Sequence, residues 1–274
     1  MTTVSEPAVS QQPVGHLLRD WRQRRRLSQL DLALRAEISA RHLSFVETGR
    51  SQPTSDMILR LARQLEVPLR DRNVLLLAGG YAPAYPASSL TDPPMSAVSD
   101  AIERILHAHE PFPAAVIDGR WDLIAANAAV DLLTGGAAPA LLEPPVNVLR
   151  LSLHPDGIAP RIVNLPEWRA HLLDRLDRDI TATADHALIE LRDELLAYPS
   201  PAADPRPDTR AILVPMKLRV PGATLSLFST TTVFGTPRDI TLAELAIESF
   251  YPADQESARY LTERSATGHL REHG

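Results

Sequence analysis

The chain has 274 residues, 44% hydrophobic and 23% charged, which is the composition of an ordinary globular protein with room for two domains. It has no cysteine, and this excludes disulfides, thiolate catalysis and every cysteine-based zinc or iron-sulfur site. The formal charge of -6 is uneven: residues 14–73 hold 12 arginines against 7 acids, a net +5, leaving -11 on the rest. A basic segment on an acidic body is the footprint of a local polyanion site, although Lys217 is the only lysine and arginine replaces lysine throughout. Residues 1–13 read as a flexible tail without a basic start or an apolar run. No stretch approaches the roughly 18 to 20 apolar residues of a membrane span, so a cytoplasmic protein without membrane insertion is expected.

The first helical pattern runs from Val14 to Arg26, with Leu17, Leu18 and Trp21 on one side. Its end, Arg22-Gln23-Arg24-Arg25-Arg26, suits either a solvated helix terminus or phosphate neutralisation. Two short amphipathic patterns follow between Leu27 and Pro53. Ser28, with Asp31 three residues on, is placed to cap the first, and Ser39 to cap the second. Leu27, Leu32, Ala33 and Ala36 share a core with Ile38, Leu43 and Val46. At 100° per residue, Arg41, Ser44, Phe45 and Thr48 lie on the opposite face, with Ala40 and His42 on the flanks. A guanidinium, two hydroxyls and a ring suit base edges, since arginine bonds guanine bidentately and apolar groups meet thymine methyls. Further helices are expected over Ser55 to Leu65 and Leu69 to Ala78, the second ending at Gly79-Gly80.

Gln29, Ala33, Ile38, Ser39, Leu43 and Val46, with Val46-Glu47-Thr48-Gly49-Arg50 and Pro53, resemble the helix-turn-helix of the Cro/C1-type (XRE) repressor family. The resemblance implies an all-α, five-helix DNA-binding domain over 14–78. With the outward row, it makes Gln29, Ser39, Arg41, His42, Ser44, Phe45, Thr48 and Arg50 the candidate contacts to double-stranded DNA. Glu37 departs from the pattern, standing where the family places glycine. Strain of about 1 kcal/mol is expected there in a left-handed turn.

Residues 79–95, GGYAPAYPASSLTDPPM, read as a linker that Tyr81 and Tyr85 can pin to either neighbour. A second domain, 96–268, is expected to open with a helix carrying Ile102, Ile105 and Leu106. Two strands around Asp118-Gly119 come next, forming a hairpin. Asn127 is placed to cap a short helix ended by Gly135-Gly136. Helical segments follow near Val146 to Leu151, Pro166 to Asp179 and His186 to Tyr198. Beyond a loop at Pro199 to Pro207, strands are expected over Ala211 to Val220, Thr224 to Phe234 and Leu242 to Phe250. Asp254 is placed to cap a helix to Arg264, with 269–274 as a tail. This order gives an α+β domain, an antiparallel sheet with helices on one face.

The order resembles a PAS domain and, more specifically, the ligand-binding domain of MmyB-like transcription regulators. The resemblance rests on Pro113 to Asn127, Leu149 to Pro155, Leu227 to Thr230, Phe234 to Thr241 and Ile247 to Asp254. It implies a regulator with a fatty-acid-like ligand and no obligatory cofactor. Trp121, Asn127, Arg150 and His154 are candidates for the ligand's polar contacts, arginine because its fork pairs with a carboxylate. Each also has a structural reading: core, helix cap, internal ion pair and buried ring. Haem or flavin is the other PAS-like option, and haem would draw on His154 or His171 as an axial ligand.

No nucleophile elbow, Gly-rich dinucleotide loop, Walker sequence or His-Glu-x-x-His is present, so no enzyme is expected. His107 and His109 sit two residues apart, which points them away from each other on a helix. Asp174, Asp177 and Asp179, interleaved with Arg175 and Arg178, read as a solvated face. The expectation is a DNA-binding regulator with a small apolar effector, acting as a homodimer. The alternatives are a lipid or secondary-metabolism enzyme with a DNA-binding head, and a protein-interaction module.

Overall fold

The computed structural model describes residues 12–200 and 213–272. They form two compact units, one built mainly on residues up to Ala87 and the other on most of the chain from Ser88.

The first unit has five helices: α1 (Val14–Arg24), α2 (Gln29–Arg35), α3 (Ala40–Glu47), α4 (Ser55–Gln64) and α5 (Leu69–Ala78). Their starts are chemically marked. Ser28 Oγ accepts from Asp31 N at 3.1 Å while the Asp31 carboxylate accepts from Ser28 N at 3.0 Å, a reciprocal capping box. Ser39 Oγ accepts from His42 N at 3.1 Å and Thr54 Oγ1 from Met57 N at 3.3 Å. Leu18, Leu32, Leu43, Ile58, Leu61 and Leu65 are wholly buried and hold the five helices around one core. Helices α1 and α3 cross backbone to backbone, because a Cβ on Gly15 would lie 2.1 Å from the Val46 carbonyl oxygen. The turn between α2 and α3 puts Glu37 at φ +54°, the left-handed conformation expected from its position.

The 79–95 stretch is less open than a linker composition implies. Tyr81 donates its hydroxyl to the Pro53 carbonyl at 3.1 Å. The Asn73 carboxamide accepts from Ala84 N and Tyr85 N and donates to Tyr85 O at 2.7 Å, so this half of the stretch is fastened to the helical unit.

The second unit contains α6 (Ser96–Ala108), β1 (Ala114–Ile117), β2 (Leu123–Ala126), α7 (Asp131–Thr134), α8 (Val148–Leu153), α9 (Leu165–Thr183) and α10 (His186–Ala197). These are followed by β3 (Met216–Val220), β4 (Ala223–Val233), α11 (Ile240–Glu244), β5 (Ala246–Pro252) and α12 (Gln255–Glu272). The five strands form one antiparallel sheet in the order β2-β1-β5-β4-β3. Side chains alternate across it. Ala114, Val116 and Ile247 pack with Ile102 and Leu106 of α6, whereas Ile117, Met216, Leu218, Leu225 and Leu227 pack with α8, α9, α10 and α12 on the other face. Helices therefore cover both faces, not one as expected, which is why all four residues of β1 are buried.

Other differences are local. The hairpin turn spans Asp118 to Asp122: Asp118 Oδ1 accepts from Arg120 N and Asp122 N, and Trp121 N donates to Asp118 O at 3.0 Å. The left-handed residue is therefore Trp121, at φ +67°, and not Gly119. The expected strand start at Leu242 is instead the single turn of α11, which buries Ile240, and β5 begins at Ala246. Asp254 caps α12 by accepting from Ser257 N at 2.8 Å, but that helix continues past Arg264 to Glu272 and takes in part of the expected tail. Residues 1–11 of the N-terminal tail, 201–207 of the Pro-rich loop, 211–212 of the expected strand and 273–274 of the expected tail lie outside the described residues, and the strand expected from Ala211 is observed from Met216. Among the described residues no helix is long and apolar enough to cross a membrane.

Glu37 holds a conformation that costs a side-chain-bearing residue about 1 kcal/mol, partly offset in glycine by a freer unfolded chain. Glu37→Gly is expected to raise stability by up to about 1 kcal/mol in urea unfolding; a loss of that size would show the turn to be unstrained.

Candidate functional site

Two sites emerge, one in each unit. In the helical unit, Leu43 and Val46 of α3 are buried while Arg41, Thr48 and Arg50 are exposed and His42, Ser44 and Phe45 half-buried. The Arg41 guanidinium lies 5.4 Å from the centre of the Phe45 ring, one helical turn on, so the two outward groups brace each other. Thr48 Oγ1 donates back to Ser44 O at 2.7 Å. Ser39 spends its acceptor on the α3 cap.

Glu47, at the end of α3, is 2% exposed and determines how the rod is held. Its carboxylate accepts from Arg22 Nε at 2.6 Å, Arg22 Nη2 at 2.8 Å and Gln29 Nε2 at 2.8 Å, tying α1, α2 and α3 together. Arg22 Nη1 also donates to Leu27 O at 2.8 Å, and the bond to Glu47 raises the affinity of Arg22 for its proton. Arg22, expected as part of an outward basic run, is thus internal. Arg25 is likewise engaged, donating to Leu65 O at 2.8 Å and Glu66 O at 3.0 Å, whereas Arg24 and Arg26 are exposed. Gln29, a candidate DNA contact, is half-buried with its amide on Glu47.

In the second unit a cavity of about 100 Å³ lies between the sheet and helices α8 and α9. Trp121, Leu149, Trp168, Leu172, Met216 and Phe250 are among the residues of its wall. The polar part is small. Trp168 Nε1 donates to Ser152 Oγ at 3.1 Å, and at the other end Arg175 donates through Nη1 to Glu248 Oε2 at 3.1 Å and through Nη2 to Glu248 Oε1 and to Thr231 Oγ1 at 3.0 Å. Thr231 in turn donates to Glu248 Oε1 at 2.6 Å. The Trp121 ring lies 4.7 Å from the guanidinium, and its Nε1 donates to Asp179 Oδ2 at 3.0 Å. Burial pushes the Asp179 carboxyl up from its ordinary range, against the indole bond and the charges of Arg175 and Arg178. Burial also holds the His171 imidazole, stacked on Trp168, below its ordinary value, and Arg175 and Arg178 add to the effect.

Of the four ligand candidates read from sequence, Trp121 lines this cavity and the other three are used elsewhere. Asn127 is buried, with its oxygen accepting from Ala114 N at 3.0 Å and its amide donating to Leu106 O and Phe112 O; it braces the start of β1 and does not cap the following turn. Arg150 forms a two-pronged bond to Glu194 at 2.7 and 2.8 Å. That bond lowers the Glu194 pKa. Burial, and then the hydrogen bond that the Tyr198 hydroxyl donates to Glu194, push that hydroxyl up to about 12, against the charge of Arg150. His154 Nδ1 accepts from Asp156 N at 3.0 Å and packs edge-on against Tyr198. The solvated reading of the α9 charges is right for Asp174 and Arg178, an exposed pair, but Arg175 and Asp179 turn inward. The missed signal was spacing: Trp168, Leu172, Arg175 and Asp179 continue one helical stripe. Glu248, a charge between Ile247 and Ser249 in a buried strand, was a second signal.

A helix-turn-helix head joined to a domain with an apolar-walled cavity defines a DNA-binding transcriptional regulator with a ligand-binding domain. The family description "Helix-turn-helix" matches residues 18–71, and "MmyB-like transcription regulator ligand binding domain" matches residues 98–263, more than half of the chain. The chain belongs to the MmyB-like transcription regulators. No curated protein matches it. Among solved structures it is similar to "Structure of an RNA-binding Light-Oxygen-Voltage Receptor", with 15% identity and a TM-score of 0.28 over 95% of this chain. The chain spans 65% of that structure's length, a likeness too distant to bear on fold or function.

Removing one partner from the Arg22–Glu47 pair strands a buried charge. Arg22→Met is expected to cost about 3 to 5 kcal/mol in chemical unfolding, and the double replacement Arg22→Met with Glu47→Leu to recover most of it. A single replacement costing under about 1 kcal/mol would contradict a structural role for the pair.

Proposed function

We propose that the protein is a sequence-specific regulator that reads double-stranded DNA with α3 and binds a small, fatty-acid-like apolar effector in its C-terminal cavity. Arg41, Ser44, Phe45 and Thr48 approach base edges, while Gln29, Ser39, His42 and Arg50 meet the flanking backbone. The observation that carries this reading is the outward face of α3, where a guanidinium and a ring are pre-set against each other over a buried apolar stripe. The carbon-rich wall between Trp121 and Trp168 supports an apolar effector. A single reading head makes few contacts, so the protein acts as a homodimer on two half-sites about one helical turn apart. It works in the cytoplasm, where it meets DNA, and does so without catalysis. Effector binding changes DNA affinity to the extent that the ligand prefers one arrangement of the two heads.

Arg41→Ala is expected to abolish preference at one base position, at a cost of about 1 to 3 kcal/mol on the best site. Arg24→Ala with Arg26→Ala should weaken all sequences alike and flatten the salt dependence of binding. Quantitative footprinting on sites varied one base pair at a time distinguishes the two. Uniform weakening by Arg41→Ala would remove α3 from base reading.

A further inference from the structure

One strand of the sheet is longer than its outer neighbour. β4 runs from Ala223 to Val233, but β3 pairs with it only as far as Leu227, opposite Met216. The described residues before β3 do not continue the ladder, and Leu213 sits in a bend with 55% of its surface exposed. On its other side β4 is paired throughout with β5, from Leu227 opposite Pro252 to Val233 opposite Ala246. The backbone bonds fix which groups point outward. Ala253 N donates to Ser226 O, and Phe250 N donates to Pro113 O on the β1 side, so the even-numbered residues of β4 face β5. Ser229, Thr231 and Val233 therefore face away from it. Lys217 gives the same parity, because it bonds to Val163 and Asn164 on the outer side of β3 and so leaves Met216 turned toward Leu227. Among the described residues nothing takes up the outward N–H and C=O groups of Ser229, Thr231 and Val233.

Exposed strand edges are ordinarily guarded by charge, proline or a bulge, since an unpaired ladder recruits another strand. The stretch Phe228-Ser229-Thr230-Thr231-Thr232-Val233 has no charge and no proline, its register with β5 is unbroken, and Thr230 to Val233 are exposed. Threonine and valine favour the extended backbone and pair well across it. Because the stretch is uncharged, it meets a copy of itself without opposing like charges, and two identical antiparallel strands obey a two-fold axis. One register uses all three outward residues: Thr231 opposite its own copy, with Ser229 opposite Val233. Continuity with the cavity points the same way. Ser229 lines it, and Thr231 carries the hydroxyl shared by Arg175 and Glu248 at its polar end.

We infer that this edge is the contact between protomers: β4 pairs antiparallel with β4 of a second copy about a two-fold axis at Thr231, with about six backbone hydrogen bonds joining the two sheets. The inference rests on the homodimer reading above and names its surface. A few residues a side fall short of the roughly 20 to 30 of a standard interface, so the dimer dissociates on dilution and is reinforced on DNA, where two half-sites hold both protomers.

The test uses the full chain, free and on DNA, and exploits its lack of cysteine. In this register Thr230 lies opposite Thr232 of the second copy in a closely spaced pair, whereas Thr230 and its own copy are diagonal neighbours roughly 7 to 8 Å apart, beyond disulfide reach. Thr230→Cys and Thr232→Cys chains are oxidised separately and mixed. The mixture is expected to cross-link at least about tenfold faster than either chain alone. Val233→Pro removes an outward N–H from an edge strand, where proline is tolerated, and should weaken dimerisation in sedimentation by about tenfold or more, while Val233→Ala, which keeps the N–H, should weaken it far less. A dimer whose mixed thiols react no faster than each alone, or one indifferent to Val233→Pro, would overturn the inference and leave the homodimer reading standing. A protein that stays monomeric at every concentration and binds DNA as a single copy would remove both. If Val233→Pro fails to fold, the cross-linking decides alone.

Discussion

The carboxylate of Glu47 holds the reading head in one arrangement. It sits at the end of α3 and takes hydrogen bonds from Arg22 on α1 and Gln29 on α2, so a single buried charge fixes three helices against one another. Such a pair adds little net stability over well-packed apolar residues, because both ions must leave water. Its effect is selective: any packing that rotates α3 leaves a charge buried and unpaired. The pair and the apolar core agree on one rotation, which buries Leu43 and Val46 and leaves Arg41 and Thr48 outside. The close crossing at Gly15 works in the same direction, since only a residue without a Cβ fits against the Val46 carbonyl.

The second unit uses the same device differently. Arg175 and Glu248 join α9 to β5 at the edge of a cavity, with Thr231 from β4 completing the set. Trp121 closes over the guanidinium from a left-handed backbone conformation that a bulky side chain rarely adopts. The turn at Asp118, the Trp121–Asp179 bond and the backbone bond from Val148 N to Trp121 O all hold that conformation in place. Strain at a cavity wall held by several independent contacts is the pattern of a preformed site.

The helical unit was legible in the sequence almost residue by residue because its signals are local: capping hydroxyls at Ser28 and Ser39, the apolar spacing, and Glu37 in a glycine's place. What stayed hidden was non-local. Arg22 lies inside a run of arginines and looks solvated, and only the fold brings Glu47, 25 residues away, within bonding distance. The cavity was harder for the same reason. Arg150 and His154 had suitable chemistry, but their partners, Glu194 of α10 and Tyr198 just after it, are not disclosed by sequence proximity. Arg175 was read as one charge among many, although its place on the stripe of Trp168 and Leu172 marked it as inward. The two-sided cover of the sheet was missed because Ala114 and Ala115 give no alternation by which to tell its faces.

Every functional statement about the helical unit depends on α3 being a free surface that distinguishes one duplex sequence from another. Selection of bound fragments from a random duplex pool by the full-length protein measures this directly. The account predicts enrichment of one short sequence, in two copies about one helical turn apart, with affinity falling steeply as salt rises. Retention of fragments without any common sequence, or of none at all, would contradict it.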